Sequence, residues 1–131
     1  KIQTYVVPVV EEMKLYLGHE TYNSMRALHT IEMCTLEYMR GRSFHGAFMI
    51  LDEAQNATFE QINMFLTRIG RGSKAVINGD LDQTDLYGDA NGGLKNCISK
   101  LRGLDGVAIC ELDHSDIVRN DIIASILVRL E

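Results

Sequence analysis

The sequence predicts an α/β domain built on a parallel sheet, and three observations carry that prediction. The first is Ala47-Phe48-Met49-Ile50-Leu51, five apolar residues in a row that stop at Asp52-Glu53. A short, uniformly apolar run suits a strand buried on both faces of a parallel sheet. The second is alternation: the strand-like runs at 47–51, 74–78 and 107–112 are each followed by a segment of helical period, the pattern of a parallel α/β fold. The third is punctuation, because the strong breaks are glycine-bearing loops at the expected strand ends.

Taken in order, residues 8–17 read as a helix, with Pro8 in its first turn and Gly18 as its stop. Val9, Met13, Tyr16 and Leu17 fall on one face of it. Residues 20–28 predict a second short helix with Tyr22, Met25 and Leu28 inward. Residues 30–36 are β-branched and apolar enough for a strand. Tyr38-Met39-Arg40-Gly41-Arg42-Ser43 is then a polar loop carrying two arginines. After the central strand, Thr58-Phe59-Glu60-Gln61 fits a capping box, in which Thr58 and Gln61 satisfy free amides at a helix start. Phe59, Ile62, Phe65, Leu66 and Ile69 keep the helical period up to Gly70. Lys74-Ala75-Val76-Ile77-Asn78 is the next strand and runs into Gly79-Asp80-Leu81-Asp82-Gln83. A glycine-rich loop at 88–93 precedes a helix with Leu94, Cys97, Ile98 and Leu101, and a last strand is expected at 107–112. Ser115 or Asn120 would cap a closing helix whose apolar face is Ile122, Ile123, Ile126, Leu127 and Leu130.

Composition narrows the functions. A chain of 131 residues is one domain at most, and 46 % hydrophobic with 24 % charged residues is ordinary for a soluble globular protein. A net charge of −5 and a pI near 5.3 exclude a broad basic footprint, so any nucleic-acid contact must be local. No apolar run is long enough to span a bilayer, and no signal-peptide pattern opens the chain. Cys34, Cys97 and Cys110 are odd in number and set among apolar neighbours, which predicts reduced core thiols in a cytoplasmic protein. His19, His29, His45 and His114 show no ligand spacing. The chain opens on Lys1 inside an apolar phrase, which predicts a piece of a longer protein.

Two strands thus end in acidic loops, Leu51-Asp52-Glu53 and Asn78-Gly79-Asp80, and each loop is followed by a glutamine, Gln55 or Gln83. In a parallel sheet all these groups project from the carboxyl ends of the strands, where ligands of such sheets gather. Phosphoryl transfer to water uses such a set. One carboxylate holds Mg²⁺, a second polarises the attacking water, and amides orient that water or report on the terminal phosphate. Acids that merely open a loop and favour the following helix are the plain alternative. The repeat of acid and glutamine on two strands argues against it.

These residues carry a resemblance. Tyr38-Met39-Arg40-Gly41-Arg42, Ile50-Leu51-Asp52-Glu53-Ala54-Gln55-Asn56, Met64-Phe65-Leu66-Thr67-Arg68-Ile69-Gly70 and Gly79-Asp80-Leu81-Asp82-Gln83 look like the PhoH family. These are phosphate-starvation-inducible P-loop ATPases related to the motor core of superfamily 1 helicases. Asp116-Ile117-Val118-Arg119 and the apolar residues after it resemble that family's carboxyl end. The resemblance implies that Asp52 and Glu53 are the Walker B pair, Asp52 holding Mg²⁺ and Glu53 activating the hydrolytic water. It implies that Gln83 senses the terminal phosphate with Asp80 supporting its loop, and that Gln55 couples nucleotide state to movement. Arg40, Arg42, Arg68 and Arg119 become candidates for phosphate or nucleic-acid contact, or for an arginine finger offered to a neighbouring subunit. An arginine in a polar loop or at a helix end is more often solvated or loosely paired. The expected substrate is ATP, the expected larger partners are RNA or single-stranded DNA, and the parent is expected to form a homo-oligomeric ring. Aromatic residues make up only 7 %, and no stacking platform is legible, so the nucleic acid rests on the resemblance.

The departures from the family matter. No Gly-x-x-x-x-Gly-Lys-Ser/Thr occurs, so the phosphate-cradling loop and its lysine are missing from these 131 residues. The turn glycines at 88–93 do not replace it. In the family that loop lies upstream. The resemblance therefore implies the C-terminal portion of a single RecA-like P-loop NTPase domain, residues 1–131, whose three-layer parallel sheet lacks its P-loop strand. That strand is central in RecA-like sheets, so the strand at 107–112 is expected to have lost its neighbour. Asp121, where family members often carry Pro, and a longer loop around Gly88-Asp89-Ala90-Asn91 are local differences. On this reading the parent is an ATPase and the fragment alone is inactive. A nonenzymatic or degenerate ATP-binding or assembly module is the alternative. A Mg²⁺-dependent phosphatase or nuclease using Asp52, Glu53 and Asp80 is a third reading, in which the glutamines have no task.

Overall fold

The computed structural model describes residues 2–86, 88, 92–113, 116 and 129. The apolar face expected for the closing helix (Ile122, Ile123, Ile126, Leu127 and Leu130), its proposed caps and Arg119 lie outside the described residues. Elements follow in the order α1 (Ile2–Leu17), α2 (His19–Ala27), a 3₁₀ turn (Leu36–Met39), β1 (Phe48–Leu51), a second 3₁₀ turn (Ala54–Asn56), α3 (Phe59–Leu66), β2 (Lys74–Ile77) and α4 (Gly93–Leu101). Contacts divide the chain into two units, residues 1–100 and 101–131.

In the first unit, β1 and β2 pair in parallel with Phe48 opposite Lys74 and Leu51 opposite Ile77. The pairing continues beyond both strand ends, where Asn78 N–H donates to Leu51 O and Ala54 N–H to Asn78 O, each at 2.9 Å. The α/β character and parallel sheet expected from the sequence are present, with two strands among the described residues. Residues alternate across a strand. One face presents Met49, Leu51, Ala75 and Ile77 to a core centred on Met39, Met49 and Phe65. The other presents Phe48, Ile50 and Val76, all exposed, with Phe48 at 65 %. Among the described residues α3 covers one face of the two strands, and the burial of β1 on both faces expected from its apolar run is not seen there.

The helix α3 forms where its capping box predicts. Thr58 Oγ1 accepts from Gln61 N–H at 3.3 Å and Gln61 Oε1 from Thr58 N–H at 2.9 Å. Ile62 on its inner face is fully buried. It stops at Leu66 instead of reaching Gly70, because the backbone at 68–70 is used elsewhere. Phe44 N–H donates to Arg68 O and Gly70 N–H to Phe44 O, at 2.9 and 2.8 Å, which ties the chain entering β1 to the turn leading into β2.

Several expectations need correction. Helix α1 begins at Ile2 and carries Pro8 inside it. Tyr16 is 84 % exposed, and Leu17 and Leu28 are also exposed, each at the C-terminal end of its helix. Residues 30–36 form no strand: they have no ladder partner among the described residues, Cys34 and Leu36 instead pack against the Met39 core, and Thr35 caps a 3₁₀ turn. In the second unit, residues 107–112 form no strand either, having no ladder partner among the described residues. That segment is held by the Arg102–Glu111 ion pair and by turns at Leu104 and Val107. All three cysteines are free, but only Cys97 is buried; Cys34 is half-buried and Cys110 exposed. Burial pushes the Cys34 and Cys97 thiols up, which keeps them neutral.

Candidate active site

The parallel pairing brings the two acidic loops to one edge of the sheet. Asp52 follows the end of β1 and Asn78-Gly79-Asp80 the end of β2. Asp52 is half-buried, and its carboxylate has no hydrogen-bond or ion-pair partner among the described residues. Glu53 adopts the left-handed region at φ 52°, ψ 39°, which few non-glycine residues visit. Gln55, in the turn that follows, is the buried polar side chain of the core. Its Nε2 donates to Glu53 Oε2 at 2.6 Å, and its Oε1 accepts from Asp80 N–H at 3.1 Å. Asp80 in turn organises its own loop, accepting from Asp82 N–H at 2.9 Å and from Gln83 Nε2 at 3.0 Å. Glu53, Gln55, Asp80 and Gln83 thus form one connected network, with Asp52 beside it at the strand end.

Two further residues, to which the sequence alone assigns no role of their own, pin this network. Thr84 Oγ1 donates to Gln55 O at 3.0 Å, and Asn56 Oδ1 accepts from Asp85 N–H at 2.7 Å. Asn56 and Thr84 lock the glutamine loop to the turn after β1, and only their small polar character hinted at it. A Cβ at Gly79 would lie 2.5 Å from Leu94 Cδ2, 2.8 Å from Gln55 Oε1 and 3.1 Å from Gln55 N, so Leu94 and Gln55 would have to shift to admit one.

The arginines lie elsewhere. Arg42 grips Glu32 through two hydrogen bonds of 2.6 and 2.9 Å and stacks over the Phe44 ring at 4.6 Å. These bonds hold the Glu32 carboxyl below its ordinary range. Arg68 donates to Arg42 O at 3.3 Å and to Thr67 Oγ1 at 3.2 Å. Both arginines belong to the stitching that precedes the strands, at the amino ends of β1 and β2. The four residues of β1 hold that edge about 13 Å from the acidic loops. Arg40 is exposed. None of these three joins the Glu53–Gln83 network.

Among the described residues no group of three or more His, Cys, Asp or Glu side chains could hold a metal by protein ligands alone, and no helix is long and apolar enough to cross a membrane. A family model described as PhoH-like protein matches residues 1–131. A PhoH-like protein of Bacillus subtilis (strain 168) is 41 % identical over 127 residues, 97 % of this chain and 40 % of the relative. A PhoH-like protein of Synechocystis sp. (strain ATCC 27184 / PCC 6803 / Kazusa) is 37 % identical over 131 residues, 100 % of this chain and 40 % of the relative. Protein PhoH of Escherichia coli (strain K12) is 35 % identical over 122 residues, 92 % and 34 % of the two chains. The chain spans 34 to 40 % of the length of these relatives. On a match that runs from end to end, the chain belongs to the PhoH-like protein family.

Proposed function

We propose that this chain supplies the hydrolytic half of an ATP site in a PhoH-type ATPase. The observation that carries the proposal is the convergence of Asp52-Glu53 and Gly79–Gln83 on one sheet edge, joined through Gln55. Asp52 suits Mg²⁺, because its uncommitted, half-buried carboxylate matches an ion that takes one or two carboxylates and keeps its waters and the phosphates as further ligands. When bound, Mg²⁺ neutralises charge on the phosphates. Glu53, exposed at the tip of its turn, accepts the proton of the attacking water. Gln83 presents an exposed amide, resting on Asp80, that turns to the terminal phosphate when ATP is present, while Asp80 keeps the loop in register. Gln55 links the two loops.

The two-stranded sheet is, on this reading, part of a larger RecA-like three-layer sheet in the parent protein. The P-loop comes from upstream residues, for which the length of the relatives leaves room. An arginine finger donated to a neighbouring subunit of a ring, or a contact with RNA or single-stranded DNA, suits Arg40, Arg42 and Arg68 better than a contact in the same site, given the sheet edge they occupy. ATP-driven remodelling of such a nucleic acid in the cytoplasm is the work we assign to the parent; its free thiols favour a reducing compartment. The test is the Mg²⁺ dependence of ATP hydrolysis by the parent protein. Asp52→Asn is expected to lower turnover and to raise the Mg²⁺ concentration needed for half-maximal rate. A parent without ATPase activity, or an unchanged Mg²⁺ dependence, overturns the proposal.

A further inference from the structure

We infer that Gln55 is a positioning residue that clamps the two loops from behind the site and does not itself touch the nucleotide. The inference rests on the assignment of Glu53 to water activation and adds to it the residue that sets the aim of Glu53. A side-chain amide offers donors at one end and an acceptor at the other, and Gln55 commits its two ends to different loops. Nε2 donates to Glu53 Oε2 at 2.6 Å, while Oε1 accepts from Asp80 N–H at 3.1 Å. The side chain is only 7 % exposed, and both of its polar ends are already committed to protein partners. Its main chain is held as well, because Gln55 O accepts from Thr84 Oγ1 at 3.0 Å.

Two further features belong to the same device. Glu53 sits at φ 52°, a backbone state that persists only where the surroundings over-determine it; the bond from Gln55 two residues on is one such constraint. Gly79 supplies the space, since a Cβ there would fall 2.8 Å from Gln55 Oε1 and 3.1 Å from Gln55 N. A displacement of the glutamine loop is therefore passed to the Glu53 carboxylate through a single buried amide. No other side chain makes both bonds: Glu lacks the donor, Met lacks both ends, and Asn falls one methylene short.

The test compares steady-state ATP hydrolysis by the parent protein with that of Gln55→Glu, Gln55→Met and Glu53→Gln, each checked for folding by thermal unfolding. Gln55→Glu keeps the acceptor toward Asp80 and sets a carboxylate against Glu53. It is expected to lower kcat at least about tenfold while KM for Mg-ATP stays within about twofold, and Gln55→Met is expected to lower kcat as far or further. If either variant fails to fold, Gln55→Asn carries the same expectation. A folded variant with kcat within about twofold of wild type overturns the clamp, and so does a rise in KM with kcat unchanged, which marks direct nucleotide contact. Wild-type turnover by Glu53→Gln would instead remove the assignment on which the inference rests.

Discussion

A glycine inside the first turn of a helix is ordinarily worth replacing, since alanine there gains up to about 1 kcal/mol. Gly93, the first residue of α4, reverses that sign. A Cβ at Gly93 would lie 2.6 Å from Ala57 O, 2.6 Å from Phe59 N and 2.8 Å from Thr58 C, all backbone atoms of the turn that starts α3. Backbone cannot swing aside as a side chain can, so Gly93→Ala is expected to destabilise the protein by about 1 to 3 kcal/mol, the range of overpacking. Urea unfolding checks it, and a stabilised variant would show that α4 does not seat against α3 this closely. The sequence marked Gly93 only as a turn glycine. Close approach is a property of two segments 35 residues apart in number, and no local pattern encodes it. The meeting of the Asp52-Glu53 and Gly79–Gln83 loops was legible because two parallel strands each end in an acidic loop, whereas Thr84 and Asn56 act through bonds that any small polar residue suggests equally.

Elements were legible where their signals are local. The capping box of α3 is written in Thr58 and Gln61 and both of its arms form. Thr58→Ala is expected to cost about 1 kcal/mol, read as a lower unfolding midpoint with an unchanged denaturant slope; no loss would mean that α3 is held by its core face alone. The strands at 48–51 and 74–77 were equally plain, because they find each other. Residues 30–36 and 107–112 carry similar apolar, β-branched composition, yet neither forms a strand. Composition reports suitability for a ladder, and the ladder itself requires a partner. The early stop of α3 has the same origin: the period of Phe65, Leu66 and Ile69 continues, but Arg68 and Gly70 spend their backbone groups on Phe44.

At the scale of the molecule, the sheet separates two kinds of charge. Acids and glutamines gather at the carboxyl edge, and the Arg42–Glu32 and Arg68 stitching holds the amino edge. The Glu32 carboxyl is lowered by its hydrogen bonds from Arg42. A carboxyl lowered in the folded state adds stability above its unfolded value and loses it as pH falls through the folded one. The unfolding temperature of wild type is therefore expected to exceed that of Glu32→Gln at pH 7, with the gap closing below the ordinary carboxyl value of 4.5. A gap independent of pH would mean that Glu32 acts through packing. The exposed Phe48–Ile50–Val76 face was the feature least visible in sequence, since an apolar run looks the same whether one face or both are covered.

In the proposed function Glu53, aimed by Gln55 and faced by the Asp80–Gln83 loop, activates the water that attacks ATP. The measurement that meets it most directly is ATP binding and ATP turnover in one preparation of the parent protein carrying Glu53→Gln. Binding within a few-fold of wild type is expected, with turnover lowered by about 10²-fold or more. Turnover at the wild-type rate would contradict it.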